Sequence, residues 1–179
     1  LTFEARKSSE ISQSSGVSVR VTINNYESLI SNAEKRALRL REREVVPRVS
    51  DLHAIFASTN GKIEVEYMGE EKKEEELVQK LLNRAVLKVF DQCFSANALA
   101  KTVEYFNSGW GVEVSDAMPS QDYLEGTKES RGHKEAIRTL GNPESPALTA
   151  SATEFILEGL HLHQKLNKEV KGGRTTYGK

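Results

Sequence analysis

One short run in this chain of 179 residues brings together residue types that can hold a phosphate: Gly16-Val17-Ser18-Val19-Arg20, at the head of an amphipathic segment. A cation in the first turn of a helix opposes the helix dipole and costs about a few tenths of a kcal/mol. A phosphate reverses that sign. The free amides of the first turn and the guanidinium then form one anion site, in which arginine makes a paired, charge-assisted contact. Ser18 stands where its hydroxyl can cap the helix. Arg20 and Ser18 are therefore the candidate site residues, and the same run also fits an arginine that points to solvent.

The other chemistry-bearing groups have less pattern behind them. Glu158-Gly159-Leu160-His161 has the carboxylate-imidazole spacing of di-iron bundles, but such a site needs a second copy and two more glutamates. No metal site is expected, and the pair reads as a polar contact at the surface or between helices. His161 and His163 point to different helix faces, and His53 and His133 have no ligand-spaced partner. Cys93, the single cysteine, lies between Phe90 and Phe94 and reads as a small buried hydrophobe with no disulfide. Trp110, between Gly109 and Gly111, reads as a cover for a core edge. Lys35, Arg36, Arg39, Arg41, Arg43 and Arg48 read as a solvated basic face, with contact to a neighbouring subunit as the alternative. No catalytic residue is expected. The chain has no Gly-x-x-x-x-Gly-Lys-Ser/Thr loop and no apolar strand ending in the acidic pair that would hold magnesium, so it should not hydrolyse ATP unaided.

Helices must position these groups. Ile23, Tyr26, Ile30, Ala33 and Ala37 recur at helical steps and predict a helix from Ser18 to about Leu40 with that face inward. After the Val45-Val46-Pro47 link, Ser50 can cap a second helix through Leu52, Ile55 and Phe56. Residues 62–67 alternate as a strand would. An acidic start at 70–76 and the stripe Leu77, Leu81, Ala85, Val89 and Phe90 predict a long helix to Phe94. A helix through Leu99, Val103 and Phe106 should follow, then a short strand at 112–114 pairing with 63–67, a loop over 115–132 and a helix over 133–140. A last long helix is expected over 149–170, stopped by Gly172-Gly173, with a flexible tail from Gly172 to Lys179.

Composition sets the class. A hydrophobic fraction of 37%, a charged fraction of 28% and a formal net charge of −1 describe an ordinary globular chain. No excess of charge calls for nucleic acid, and no apolar run approaches the roughly 20 residues that cross a bilayer. No nucleic-acid or membrane partner is expected, and with no secretory signal the location reads as cytoplasmic. The chain opens at Leu1, without Met, in helix-like sequence, which leads to the expectation that it is part of a longer protein.

At this point the residues resemble a known family. In the lid subdomain of MoxR-like and magnesium chelatase AAA+ ATPases, a Gly-Ala-Ser-Pro-Arg element opens a helix, and a Val-Thr-Pro-x-Asp-Val element follows. Gly16, Ser18 and Arg20 match the first, with Val17 and Val19 in place of Ala and Pro. Val45-Val46-Pro47-Arg48-Val49-Ser50-Asp51-Leu52 looks like the second. The segments 154–161 and 173–178 look like the C-terminal extension of a chelatase-like branch. The resemblance implies a mainly α protein: a helical lid over 1–57 with the sensor-2 motif, then a helical extension over 58–179 with a small β-hairpin. It implies that Arg20 contacts the ATP γ-phosphate, and that ATP and Mg are held mainly by an upstream AAA+ nucleotide-binding domain absent from this sequence. It also implies a homo-oligomeric ring, a partner subunit, and conformational work spent on metal chelation or chaperone-like remodelling. The rival reading is a free-standing helical interaction module without nucleotide chemistry.

Overall fold

The computed structural model describes residues 1–11, 17–63, 71–95, 98–128, 130–141 and 143–179, with the backbone alone at 71–73. Helix α1 (Thr2–Ala5) leads to α2 (Val19–Leu40), the longest element of the first part of the chain. The inward face of α2 is Val21, Asn25, Ala33, Arg36 and Ala37. Ile23 and Tyr26, expected inside, are 50% and 66% exposed. The stripe is rotated because its buried members include polar residues. Asn25 Oδ1 accepts the hydroxyls of Ser58 (2.6 Å) and Thr59 (3.1 Å), so apolar spacing alone points to the wrong side.

Helix α2 ends with Arg41 in the left-handed region (φ 56°), and the Glu42 amide returns 2.9 Å to Ala37 O. Glycine usually takes that position. The turn carries Glu42 back beneath the helix. A 3-10 turn (Val49–His53) then runs into α3 (Ala54–Thr59), in place of one helix capped by Ser50. The Asp51 carboxylate, 2.8 Å from the Arg48 amide, caps the turn instead.

Helix α4 (Glu71–Cys93) is the expected long helix and buries Leu77, Val78, Leu81, Leu82 and Phe90. Cys93 is exposed, contrary to the reading from its neighbours, because Phe90 and Phe94 continue the inward stripe past it. The remaining elements are α5 (Ala100–Asn107), β1 (Val112–Val114), α6 (Ser120–Thr127), α7 (Arg131–Thr139), α8 (Pro146–Leu162), β2 (Asn167–Lys171) and β3 (Arg174–Gly178). Three expectations are corrected. Residues 115–132 contain α6. Helix α8 stops at Leu162, where Gln164 turns left-handed (φ 59°). The tail is the middle strand of an antiparallel sheet of order β1-β3-β2.

The tail is ordered by its turn. Lys171 pairs with Arg174 across Gly172 and Gly173, both at positive φ, the two-residue connection that matches the twist of a hairpin. Strand β1 pairs with β3, Val112 opposite Tyr177. Residues 64–67 of the strand expected to pair with β1 lie outside the described residues, as do Gly16 and Gly69.

Two apolar clusters result. One joins α1, the head of α2 and α4 through Ala5, Val17, Val21, Leu77 and Leu81. The larger joins α4, α5, α7, α8 and the sheet around Phe90, Phe106, Ile156, Leu157 and Tyr177. Trp110 packs partly buried on the larger one, with ring contacts to Tyr105, Phe106 and His133. No helix among the described residues is long and apolar enough to cross a membrane.

Candidate functional site

The head of α2 is held from below. Val17 and Val21 are buried, and the Arg6 guanidinium donates to Val17 O through Nε (3.2 Å) and Nη2 (3.0 Å). Thr2 and Thr22 share a hydroxyl hydrogen bond of 2.7 Å. Ser18, Val19 and Arg20 are exposed. Ser18 is the N-cap with extended backbone (φ −71°, ψ 156°), but its hydroxyl makes no capping bond. The Val21 amide of the first turn is held instead by the backbone, 3.1 Å from Ser18 O.

Arg20 is exposed, and no acidic residue lies in its turn. Among the described residues it has no hydrogen-bond or ion-pair partner. Phe3, Val19, Ile23 and Tyr26 are all exposed on the same two elements. Among the described residues, Arg20 and Ser18 are thus exposed together at a cationic helix start that also exposes apolar side chains.

The basic cluster divides. Lys35, Arg39, Arg41 and Arg43 face solvent, as expected, but Arg36 and Arg48 are only 3% and 2% exposed. They belong to a buried polar hub. Asp51 accepts from Arg36 Nε (3.1 Å) and Nη2 (3.0 Å) and from Asn32 Nδ2 (2.9 Å). Arg36 also donates to Val46 O (2.6 Å) and Glu42 (3.1 Å). Arg48 donates to Glu42 (3.0 Å), Met118 O (2.8 Å) and Ser120 Oγ (2.5 Å), and lies 4.9 Å from the Tyr123 ring centre. Burial works against the charge of Arg36, but Asp51, with Glu42 and Glu154 behind it, outweighs burial and raises the pKa. Burial likewise pushes the Glu42 carboxyl up, yet the Ser120 donors, with Arg48 and Arg36, bring it below the ordinary value.

Helix α8 contributes two buried carboxylates one turn apart. Glu154 accepts from the Ser50 amide (2.7 Å), the Ser50 hydroxyl (3.1 Å) and the Tyr123 hydroxyl (2.5 Å). Glu158 accepts from Lys168 Nζ (2.7 Å) and from the Tyr177 hydroxyl. Burial raises the Glu154 pKa despite its donors, and raises both phenols, which also face these carboxylates. Sequence reasoning misses the hub because each member looks like a surface charge. One signal is there to find: Glu154 and Glu158 fall on the same face as Ala150 and Leu157, in a long and largely apolar helix.

The histidines are engaged separately. His161 Nδ1 donates to Leu166 O (3.1 Å), His53 Nδ1 to Ser50 O (2.6 Å), and His163 Nε2 meets Asp91 (2.7 Å). His133 is fully buried, with Nε2 3.2 Å from Thr153 Oγ1 and Nδ1 unpaired among the described residues.

Burial lowers the His133 pKa from 6.5 to about 4. A depressed folded pKa means that the stability it confers is complete above pH 6.5 and is lost as the pH falls from 6.5 towards 4. The loss should reach about 3 kcal/mol by pH 4. His133→Leu should lose much less stability than the parent chain between pH 7 and 4.5 in urea titrations. Parallel losses in the two proteins would remove His133 as the cause.

Comparison with family models, with curated proteins and with solved structures finds no match to this chain.

Proposed function

We propose that this chain is the nucleotide-sensing lid and extension of an AAA+ ATPase of the magnesium chelatase and MoxR-like group, with Arg20 contacting the γ-phosphate of ATP. The supporting observation is the exposed head of α2. An arginine stands against the helix dipole with no acidic partner among the described residues, and beside it the Ser18 hydroxyl makes no capping bond. A γ-phosphate satisfies both groups at once. The exposed Phe3, Val19, Ile23 and Tyr26 supply an apolar rim on which a nucleotide-binding domain can sit.

In this reading ATP and Mg are bound mainly by an upstream domain, and α2 reports whether the γ-phosphate is present. Loss of that contact on hydrolysis shifts the lid between two positions, because the two nucleotide states differ in one charged interaction. The work is passed around a homo-oligomeric ring and, through a partner subunit, to chelation of a metal or remodelling of a protein.

Two measurements test this. Coding sequence upstream of Leu1, in frame, should encode Gly-x-x-x-x-Gly-Lys-Ser/Thr. In that longer protein Arg20→Ala should lower ATP turnover by about 10²-fold. The same change should leave folding stability within about 0.5 kcal/mol, with a slight gain from removing a cation at a helix start. Unchanged turnover would sink the assignment.

A further inference from the structure

The buried hub has a geometry that a merely stabilising cluster would not need. Its bonds run between three stretches far apart in sequence: the exit of α2 with the 3-10 turn, the segment leading into α6, and the middle of α8. Glu42 accepts the amide and the hydroxyl of Ser120, both at 2.6 Å, and so places a carboxylate at the start of α6. Arg48 reaches Met118 O and Ser120 Oγ from the other side. Arg39 adds Asp116 through its carbonyl (2.6 Å) and carboxylate (3.1 Å). Tyr123, three residues into α6, donates to Glu154 of α8, and Glu154 returns to the first part of the chain by accepting both donors of Ser50. Ser151 Oγ closes the path on Pro47 O at 2.7 Å.

The seam is polar, in contrast to the two apolar clusters, and Tyr123 joins it to the larger one. Apolar surfaces slide past one another at low cost because their contacts are non-directional. A seam of buried, directional, charge-assisted bonds has one register, and leaving it exposes unpaired charge.

We propose that residues 115–123 are a strap that locks α2 and the 3-10 turn to α8, so that a displacement of α2 is carried as a rigid body into α8 and the β2–β3 hairpin. This concerns the mechanics of the chain itself and stands whether or not Arg20 meets a phosphate. The extension then serves to carry motion from one end of the molecule to the other.

Amide hydrogen exchange of the isolated chain tests it. In the parent protein the buried amides of α2 (Ala33, Ala37) and of α8 (Ile156, Leu157) should open with the same free energy, as one cooperative unit. In Glu42→Gln/Ser120→Ala the α2 amides should exchange about tenfold faster relative to those of α8. Should that variant fail to fold, Arg39→Ala removes only the solvent-exposed tie to Asp116 and should show the same divergence at about twofold. Separate opening of α2 and α8 in the parent protein would overturn the proposal. So would an equal change at all four amides, or no change, in whichever variant folds.

Discussion

Replacing Asp51 by Ala should cost about 3–5 kcal/mol, because it strips the main counterion from a guanidinium that has no route to water. Arg36 is 3% exposed and gives Asp51 two of its donors, while Asn32 and the Arg48 amide give two more. Glu42, already shared with Arg48 and Ser120, and Glu154 behind it would remain to face Arg36 as charges. The loss should appear as a lower urea midpoint in circular dichroism, and a cost under about 1 kcal/mol would show that the hub is solvated in solution. A second variant separates charge from packing. Arg36→Met with Asp51→Leu removes both charges together and should be less destabilised than the sum of Arg36→Met and Asp51→Leu made singly. The double variant should not fully recover, since Val46 O and Asn32 lose their donor and acceptor.

The same hub explains which parts of the fold can be read from sequence. Helices α4 and α8 are legible because long apolar stripes and their start signals act locally, within a turn or two. The orientation of α2 is not, since its inward face contains Asn25 and Arg36, buried only because Ser58, Thr59 and Asp51 wait for them. Helix α6 carries Gly126 and a weak stripe, and its start is held by Glu42 from 78 residues away. No local pattern encodes such a bond. Strand β3 is the intermediate case. Gly172-Gly173 followed by Thr175, Thr176 and Tyr177 is a hairpin signal in itself, but it looks like a helix stop once α8 is extended past Leu162.

The candidate site shows the same division. Ser18 as the first capping position and Arg20 in the first turn follow from local sequence, and the structure has them there. The exposure of the flanking apolar residues requires the rotation of α2, which only the tertiary partners fix. The hub and the helix head sit at opposite ends of α2, so one 22-residue helix carries at its start a charge without a partner among the described residues and near its end one bonded to Asp51, Glu42 and Val46 O. A helix anchored at one end and exposed at the other is suited to passing displacement along its axis.

Gly159→Ala should be destabilising by about 2–3 kcal/mol, against the gain of about 1 kcal/mol that the change brings in an ordinary helix interior. Gly159 lies in α8 where Phe90 of α4 crosses it, and a Cβ there would stand 2.0 Å from Phe90 Cδ2 and 2.2 Å from Cε2. The ring cannot step aside. Phe94, Phe155 and His163 pack around it with ring centres 5.0, 5.7 and 5.5 Å away. The added methyl must therefore push α4 and α8 apart, opening the larger apolar cluster along its length. A melting point lower by about 2–4 °C per kcal/mol is the expected reading. Phe90→Leu replaces the clashing ring by a smaller side chain, so Phe90→Leu/Gly159→Ala should be more stable than Gly159→Ala alone. If Gly159→Ala instead raises the melting point, α4 and α8 do not approach this closely, and the glycine serves no packing purpose.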